Sequence, residues 1–273
     1  MAEPLIAFNR FEKTLPPLKS GTLEVRLARS EDDIKAAQRL RYEVFYEECG
    51  AQSDPTMASL KQDVSPVDDF CDVLLVIDIA TNKTVGTYRF MLREAALEYG
   101  SYFTASEFDI SKLITVPGQI MELGRSCVQK AYRTRPTMQL LWRGIGAYIQ
   151  QNRVNLCFGC ASFIGTDVSQ YKQALSYLYH NHLAPPELRA RALPSHYQEM
   201  NLLPAEEVQP KKALRQLPPL IKAYLRAGGY VGEGAYVDHP FNSIDICIIV
   251  PREKVTGRYS QRYSHPSAFG EKI

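Results

Sequence analysis

The chain has 273 residues, with 32 Lys and Arg against 30 Asp and Glu, a formal charge of +2. That near-balance argues against nucleic-acid binding, and 45% hydrophobic with 23% charged residues suits a soluble globular protein with one sizeable core. No stretch approaches the roughly 18–20 apolar residues that span a bilayer, no signal-peptide pattern opens the chain, and six scattered Cys suit a reducing cytoplasm.

Residues 1–21 read as an arm, with Pro16, Pro17 and Gly21 ahead of regular structure. One domain is expected over 22–255, followed by a polar tail at 256–273. Leu23, Val25 and Leu27 alternate with other residues as a half-buried strand. Ser30 to Asp33 resembles a capping box, and Ile34, Ala37, Leu40 and Val44 carry a helix toward Gly50. Arg41 and Phe45 lie four apart, on one face of that helix.

From Ala51 to Asp72 the periodicity disappears, and Asp63, Asp68, Asp69 and Asp72 crowd one long loop. Long loops inside compact domains are often functional. These acids suit a cationic ligand, although solvated loop acids are commoner; with no His among them, no metal site is expected. Val73–Ile77 and Val85–Leu92 then form a hairpin. Arg89, inside its second strand, needs a partner there: an Asp of the acidic loop or a substrate carboxylate. In the mixed segment 94–117, Tyr102, Phe103, Phe108 and Ile114 line either an apolar ligand pocket or a satellite core.

Residues 119–143 carry the strongest signal. Ile120, Met121, Leu123, Cys127 and Val128 describe a buried strand, interrupted by Glu122, Gly124, Arg125 and Ser126. Glu122 and Arg125 are costly to bury unless paired or used, and Gly124 suggests a bulge or a close backbone approach. A basic loop follows, with Lys130, Arg133 and Arg135. Then comes a helix capped by Thr134 or Thr137, with Pro136 in its first turn. The stretch 125–143 holds five cations and no acid. Strand, cationic loop and helix N-terminus together make a physical recipe for holding a phosphate.

Leu156–Phe163 reads as another buried strand, in which Cys157 and Cys160 are two buried thiols rather than half of a zinc site. A helix from Thr166 or Asp167 follows. Seven prolines between His182 and Pro219 mark an insertion wrapping the surface. Ile221–Arg226 is a short helix stopped by Gly228 and Gly229, and 230–237 with 243–250 close the fold as paired strands.

The run Met121-Glu-Leu-Gly-Arg-Ser-Cys-Val128, with Leu140-Leu-Trp-Arg-Gly-Ile145 and Phe158-Gly-Cys-Ala-Ser-Phe163, resembles the bacterial ornithine Nα-acyltransferases of the GNAT superfamily. More distantly it is similar to the acyl-homoserine-lactone synthases, which carry a similar Glu-x-x-Arg strand and Arg-x-x-x-Phe helix. The likeness runs from about Val25 to Pro251. It implies an α/β fold with a mixed, mainly antiparallel sheet flanked by helices. It also implies transfer of a fatty acyl group, 3-hydroxylated by family likeness, from acyl carrier protein to the α-amine of ornithine.

On that basis Glu122 is the expected base, with Arg125 paired to it or to a substrate group. Ser126, Cys127 and Val128 would lie along the pantetheine arm, and Arg133, Thr134 and Arg135 near its phosphate. Arg41, Phe45, Asp69, Asp72 and Arg89 would meet the acceptor. The superfamily's glycine-bearing phosphate loop is replaced by Arg133-Thr-Arg-Pro-Thr-Met138, which favours a carrier-protein phosphopantetheine over the CoA diphosphate. No permanently bound cofactor, metal or nucleic acid is expected. The location is cytoplasmic, with peripheral contact at the inner-membrane face as an allowed alternative. Cys127 as a thiol nucleophile is the rival chemistry, without a nearby His to activate it. Acylation of glycine or lysine, lactone synthesis, or carrier binding without turnover are the rival functions.

Overall fold

A computed structural model describes residues 11–254; the first ten residues and the tail expected at 256–273 lie outside the described residues. The strands are β1 (Leu18–Ser20), β2 (Leu23–Leu27), β3 (Asp72–Asp78), β4 (Lys83–Leu92), β5 (Phe108–Asp109), β6 (Gln119–Val128), β7 (Val154–Ile164), β8 (Arg191–Ala192), β9 (Tyr197–Gln198), β10 (Tyr230–Val231), β11 (Ala235–Asp238) and β12 (Ser243–Pro251). The helices are α1 (Glu31–Tyr42), α2 (Pro55–Leu60), α3 (Arg93–Tyr99), α4 (Ser111–Ile114), α5 (Arg135–Gln151), α6 (Lys172–His182), α7 (Pro210–Gln216) and α8 (Pro219–Arg226).

The main sheet runs β1-β2-β3-β4-β6-β7-β12-β11-β9, with β10 also on β12. Every pairing in it is antiparallel except β6 with β7. It is therefore the mixed, mainly antiparallel sheet flanked by helices that the sequence implies. The expected surface insertion is more deeply built in. It supplies β9 at the sheet edge and β8, which pairs with β5, and it buries Ala190, Ala192 and Met200.

Period-two alternation sorts the side chains onto two faces. Leu74, Val76, Phe90, Met121, Leu123 and Ile246 pack with Leu140, Leu141, Ile145 and Tyr148 of α5. Val73, Leu75 and Ile77 turn the other way, onto Ile34 and Ala37 of α1. On this second face Met91, Ile120, Phe158 and Ile249 meet the 95–113 segment. Tyr102 and Phe108 belong to that satellite core, and Ile114 is exposed, so these three are not walls of a pocket. The sequence-based helix through Gly50 is α1 continued by a π-helical turn, Glu43–Glu48. Such turns are frequent at functional sites.

The parallel ladder between β6 and β7 stops at Glu122 opposite Phe158, so 123–128 and 159–164 are not paired with one another. The strands are closest just where they part: a Cβ on Gly159 would lie 2.1 Å from the Leu123 carbonyl oxygen. At Gly124 a Cβ would come no nearer than 3.8 Å to the Arg89 side chain, which leaves its surface open to the approach of another molecule's backbone. Gly159→Ala should therefore lower stability by about 1–3 kcal/mol through forced backbone movement. Gly124→Ala should stay within about 0.5 kcal/mol. Equal shifts of the two variants in thermal unfolding would contradict this geometry.

Candidate active site

The alternation that sends Met121 and Leu123 to α5 sends Glu122 to the α1 face, where it is 3% exposed. Its carboxylate accepts from the backbone N of Phe103 at 3.0 Å, and from both the backbone N and the hydroxyl of Thr104. These groups open a 3₁₀ turn, Phe103–Ser106, whose leading N–H groups need an acceptor. Oε1 takes two of the three bonds and Oε2 one. Glu122 thus anchors that turn to the mouth of the gap between β6 and β7.

Three residues later the pairing of β4 with β6 shifts register between Thr87 and Arg89, and Arg125 takes the left-handed backbone conformation at φ +52°. The bulge expected at Gly124 is therefore at Arg125, an unusual conformation for a long side chain. Arg125 does not pair with Glu122. Its Nε lies 3.5 Å from Asp63 Oδ2, and its guanidinium lies 4.8, 5.2 and 5.9 Å from the ring centres of Phe241, Phe103 and Phe45. Three aromatic faces attract a cation and fix its position.

Behind Arg125 lies a buried ionic group. Arg41 Nε is 2.8 Å from Asp63 Oδ2, and Arg41 Nη2 is 2.5 Å from Asp68 Oδ2. Arg89 Nη1 is 3.0 Å from Asp68 Oδ1, Gln38 donates to Asp68 Oδ2 at 3.0 Å, and the Tyr46 hydroxyl donates to Asp63 Oδ1 at 2.9 Å. Burial alone would raise the Asp68 carboxyl, but Arg41 and Arg89 outweigh it and hold it at about 2. The same balance, with Arg125 and Arg41 as the cations, keeps Asp63 below its usual range. Arg41, Arg89 and Arg125 against Asp63 and Asp68 leave one positive charge in excess (three minus two), at the edge where Arg125 faces the rings.

Arg89 does meet an Asp of the acidic loop, but the residues that close this group are Asp63 and Asp68. Asp69 is exposed. Asp72 already belongs to β3, opposite Phe90, and so faces α5, where it accepts from the Tyr148 hydroxyl and from Lys13. Asp72 is thereby turned away from Arg89 and Arg125. Phe45 lies against Phe241 and Arg125.

Along the far part of β6, Cys127 packs with Leu40 and Val44, and burial pushes its thiol well above the usual range. That environment disfavours a thiolate nucleophile. Val128 pairs with Gly86, and Ser126 lies between Arg125 and Cys127, half-buried. In the basic loop Arg133 is not an open phosphate ligand. It pairs with both oxygens of Glu48 at 2.5 and 2.6 Å and donates to the Val128 carbonyl at 3.0 Å. Thr134 precedes α5 without capping it; its hydroxyl lies 3.1 Å from that of Thr137. Lys130, Arg133, Thr134 and Arg135 are exposed where β6 hands over to α5.

The apolar-strand reasoning missed a further set of acids on this face. Glu107, Asp238 and Asp245 bring carboxylate oxygens within 4.8 Å of one another. Asp245 alone had a local signal: an acid between Ile244 and Ile246 in a fully buried strand.

Comparison with known proteins finds relatives along most of the chain. Residues 40–143 match the acetyltransferase (GNAT) domain. The chain is 46% identical over 250 residues, 89% of its own length and 85% of the relative's, to the L-ornithine N(alpha)-acyltransferase of Agrobacterium fabrum. It is 45% identical over 250 residues, 89% of its length and 84% of the relative's, to that of Rhizobium meliloti. Among solved structures, the AHL synthase LasI aligns over 92% of this chain and 98% of its own, at 12% identity and a TM-score of 0.47.

Proposed function

Because this chain belongs to the family of L-ornithine Nα-acyltransferases, enzymes of the GNAT type, we infer that it acylates the α-amine of ornithine with a fatty acyl group, 3-hydroxylated chains included, from an acyl carrier protein thioester. The observation that carries the reading is the gap where β6 and β7 part at Glu122 and Phe158. Glu122 and Arg125 stand at its mouth, and an exposed basic start of α5 lies at its far end. A pantetheine arm is an extended chain of amides, suited to the unpaired edge of β6 along Ser126 to Val128.

The chemistry needs three things of these residues. Glu122, directly or through a water, takes a proton from the acceptor's α-ammonium through Oε2, the oxygen with a single donor. The freed amine attacks the thioester carbon, the carbonyl oxygen gains charge, and in this reading backbone N–H groups at the Arg125 bulge meet it. The C–S bond then breaks, and the thiol leaves with a proton. No resident cofactor takes part.

The backbone also bears on the donor. No residue from 129 to 138 adopts a positive φ, and Pro136 sits in the first turn of α5. The stretch lacks the glycine conformations that let a loop close around a diphosphate. A single phosphate asks less of it, and the exposed Lys130 and Arg135, with Arg133 once exchanged from Glu48, would face an acidic carrier surface. No helix among the described residues is long and apolar enough to cross a membrane. The acylated product is amphipathic, and release at the cytoplasmic membrane face is part of this reading.

Incubating the protein with one acyl chain on carrier protein or on CoA, and with ornithine, lysine or glycine, should give acylornithine from the carrier thioester by mass spectrometry. Product from CoA alone overturns the donor. Product with glycine or lysine alone overturns the acceptor, and binding without product overturns catalysis. Arg133→Glu with Arg135→Glu should raise KM for the carrier donor most at low salt, because exposed charges are screened beyond about 10 Å at 0.1 M. A wild-type, salt-independent KM would place docking elsewhere.

A further inference from the structure

Glu107, Asp238 and Asp245 come from three places in the chain. Glu107 follows the turn held by Glu122, Asp238 ends β11, and Asp245 lies in β12 opposite Tyr236 on one side and Ser162 of β7 on the other. Some of their oxygens have obvious occupation. Ser243 donates to Asp245 Oδ2 at 2.9 Å, and the Phe241 backbone N donates to Asp238 Oδ1 at 2.8 Å. Cys160 and Ser162 lie beside Glu107 and Asp245 respectively.

Two oxygens are left over. Glu107 Oε2 and Asp245 Oδ1 are buried without any hydrogen-bond partner, on residues 5% and 3% exposed. Buried polar atoms are rarely left so, and a buried carboxylate without a donor is costlier still. No ion pair involves any of the three acids among the described residues. Burial first, then the mutual repulsion of the acids, raises the proton affinity of both Glu107 and Asp245. A proton, or a cation from outside the group, would relieve that repulsion.

Arg125 is the positive charge felt by both Glu107 and Asp245. Phe241 links the two features physically: its ring stacks on Arg125 while its backbone N bonds to Asp238. An amino acid with a cationic side chain carries a carboxylate at one end and an ammonium at the other. Arg125, the positive charge left in excess by the ionic group behind it, suits the first; the three acids suit the second.

We propose that Glu107, Asp238 and Asp245 form the seat for the side-chain ammonium of the acceptor and set the enzyme's preference for a diamino acid. The inference rests on the ornithine reading above and adds residues to it. A primary ammonium offers three N–H donors, matching three carboxylates that include two unpartnered oxygens. The same oxygens are chemically competent for a hard divalent cation, but the neighbouring Arg125 disfavours a double positive charge. Asp238, only half-buried, gives the group its opening toward solvent.

The test uses the full chain and two acceptors of equal length, L-ornithine and L-norvaline, which lacks the side-chain ammonium. Wild type should favour ornithine in kcat/KM by 100-fold or more. Asp245→Asn and Glu107→Gln should each cut that ratio at least tenfold, chiefly through KM for ornithine, with KM for the donor held. An unchanged ratio in both folded variants would overturn the proposal, as would a loss of activity shared equally by the two acceptors. Titration calorimetry with Mg²⁺ and Ca²⁺ supplies the metal arm: tight binding abolished by Asp245→Asn, with the acceptor ratio intact, assigns the site to a metal instead. If wild type acylates neither compound, the functional reading fails, and calorimetry with ornithine and norvaline then judges the seat alone. Ornithine-selective binding lost in Asp245→Asn supports it, and absence of such selectivity in wild type overturns it.

Discussion

Replacing Asp68 by Ala is expected to cost about 3–5 kcal/mol, because it leaves two buried guanidinium groups without their shared partner. Arg41 and Arg89 both close on this carboxylate, at 2.5 and 3.0 Å, and all three residues are buried. Removing one partner of such a set costs the desolvation of the charges that remain, which exceeds the net worth of the hydrogen bonds themselves. Against a typical total of about 5–15 kcal/mol, the variant should lose on the order of 10 °C in Tm. Asp68→Asn keeps the shape and an acceptor oxygen, so its loss should be smaller.

The pH dependence provides a second readout. Asp68 is held at about 2 in the folded protein, below the ordinary aspartate value of 3.8. A depressed carboxylate contributes stability that is fully present above the unfolded value and disappears as pH falls through the folded one. The contribution, on the order of 2 kcal/mol, should therefore fade between about pH 4 and pH 2. Asp68→Asn should flatten that limb in acid titrations of unfolding. A wild-type acid limb in the variant would show that Asp68 is not the group responsible.

The arginine group also explains which parts of this protein are legible in sequence. The hairpin of β3 and β4, the central strand and α5 follow from their apolar patterns, since the strands bury both faces and α5 one stripe. The pairing of Arg89 with a loop acid follows from the cost of a buried cation. Which acid does so depends on where the strand begins. β3 starts at Asp72, so alternation sends that side chain to Tyr148 and away from Arg89, while Asp63 and Asp68, farther back in the loop, reach the arginines. The special backbone residue was equally hard to locate. Glycine is the usual occupant of a left-handed bulge position, yet Arg125 takes it, with three rings and Asp63 around its side chain. The acids at 107, 238 and 245 are far apart in the chain, and only the sheet order brings them together.

That juxtaposition gives the candidate site a functional polarity. On the function and acceptor seat proposed above, thioester recognition would lie along β6 beyond the point where β7 leaves it, and acceptor recognition between Arg125 and the three acids. Glu122 stands between the two and holds the turn from which Phe103 reaches Arg125 and after which Glu107 follows. Its position therefore supports two distinct roles, proton acceptance and placement of the acceptor-binding turn, and one substitution separates them only with the right controls.

Glu122→Gln should lower turnover by about 10²–10⁴ if the carboxylate takes the proton. The same change places an amide NH₂ or its oxygen against donors that now face a carboxylate. The turn Phe103–Ser106 should loosen, with a stability loss of about 1–3 kcal/mol. Thr104→Val provides the comparison, since it removes one donor to Oε1 while leaving the Thr104 and Phe103 backbone donors and the carboxylate itself. A positioning role predicts that the two variants lose activity in proportion to their loss of Tm, mostly in KM for ornithine. A base role predicts that Glu122→Gln loses kcat far beyond that proportion, while Thr104→Val does not. Wild-type kcat in Glu122→Gln would remove this residue from proton transfer and leave it as the support on which the Phe103–Ser106 turn is built.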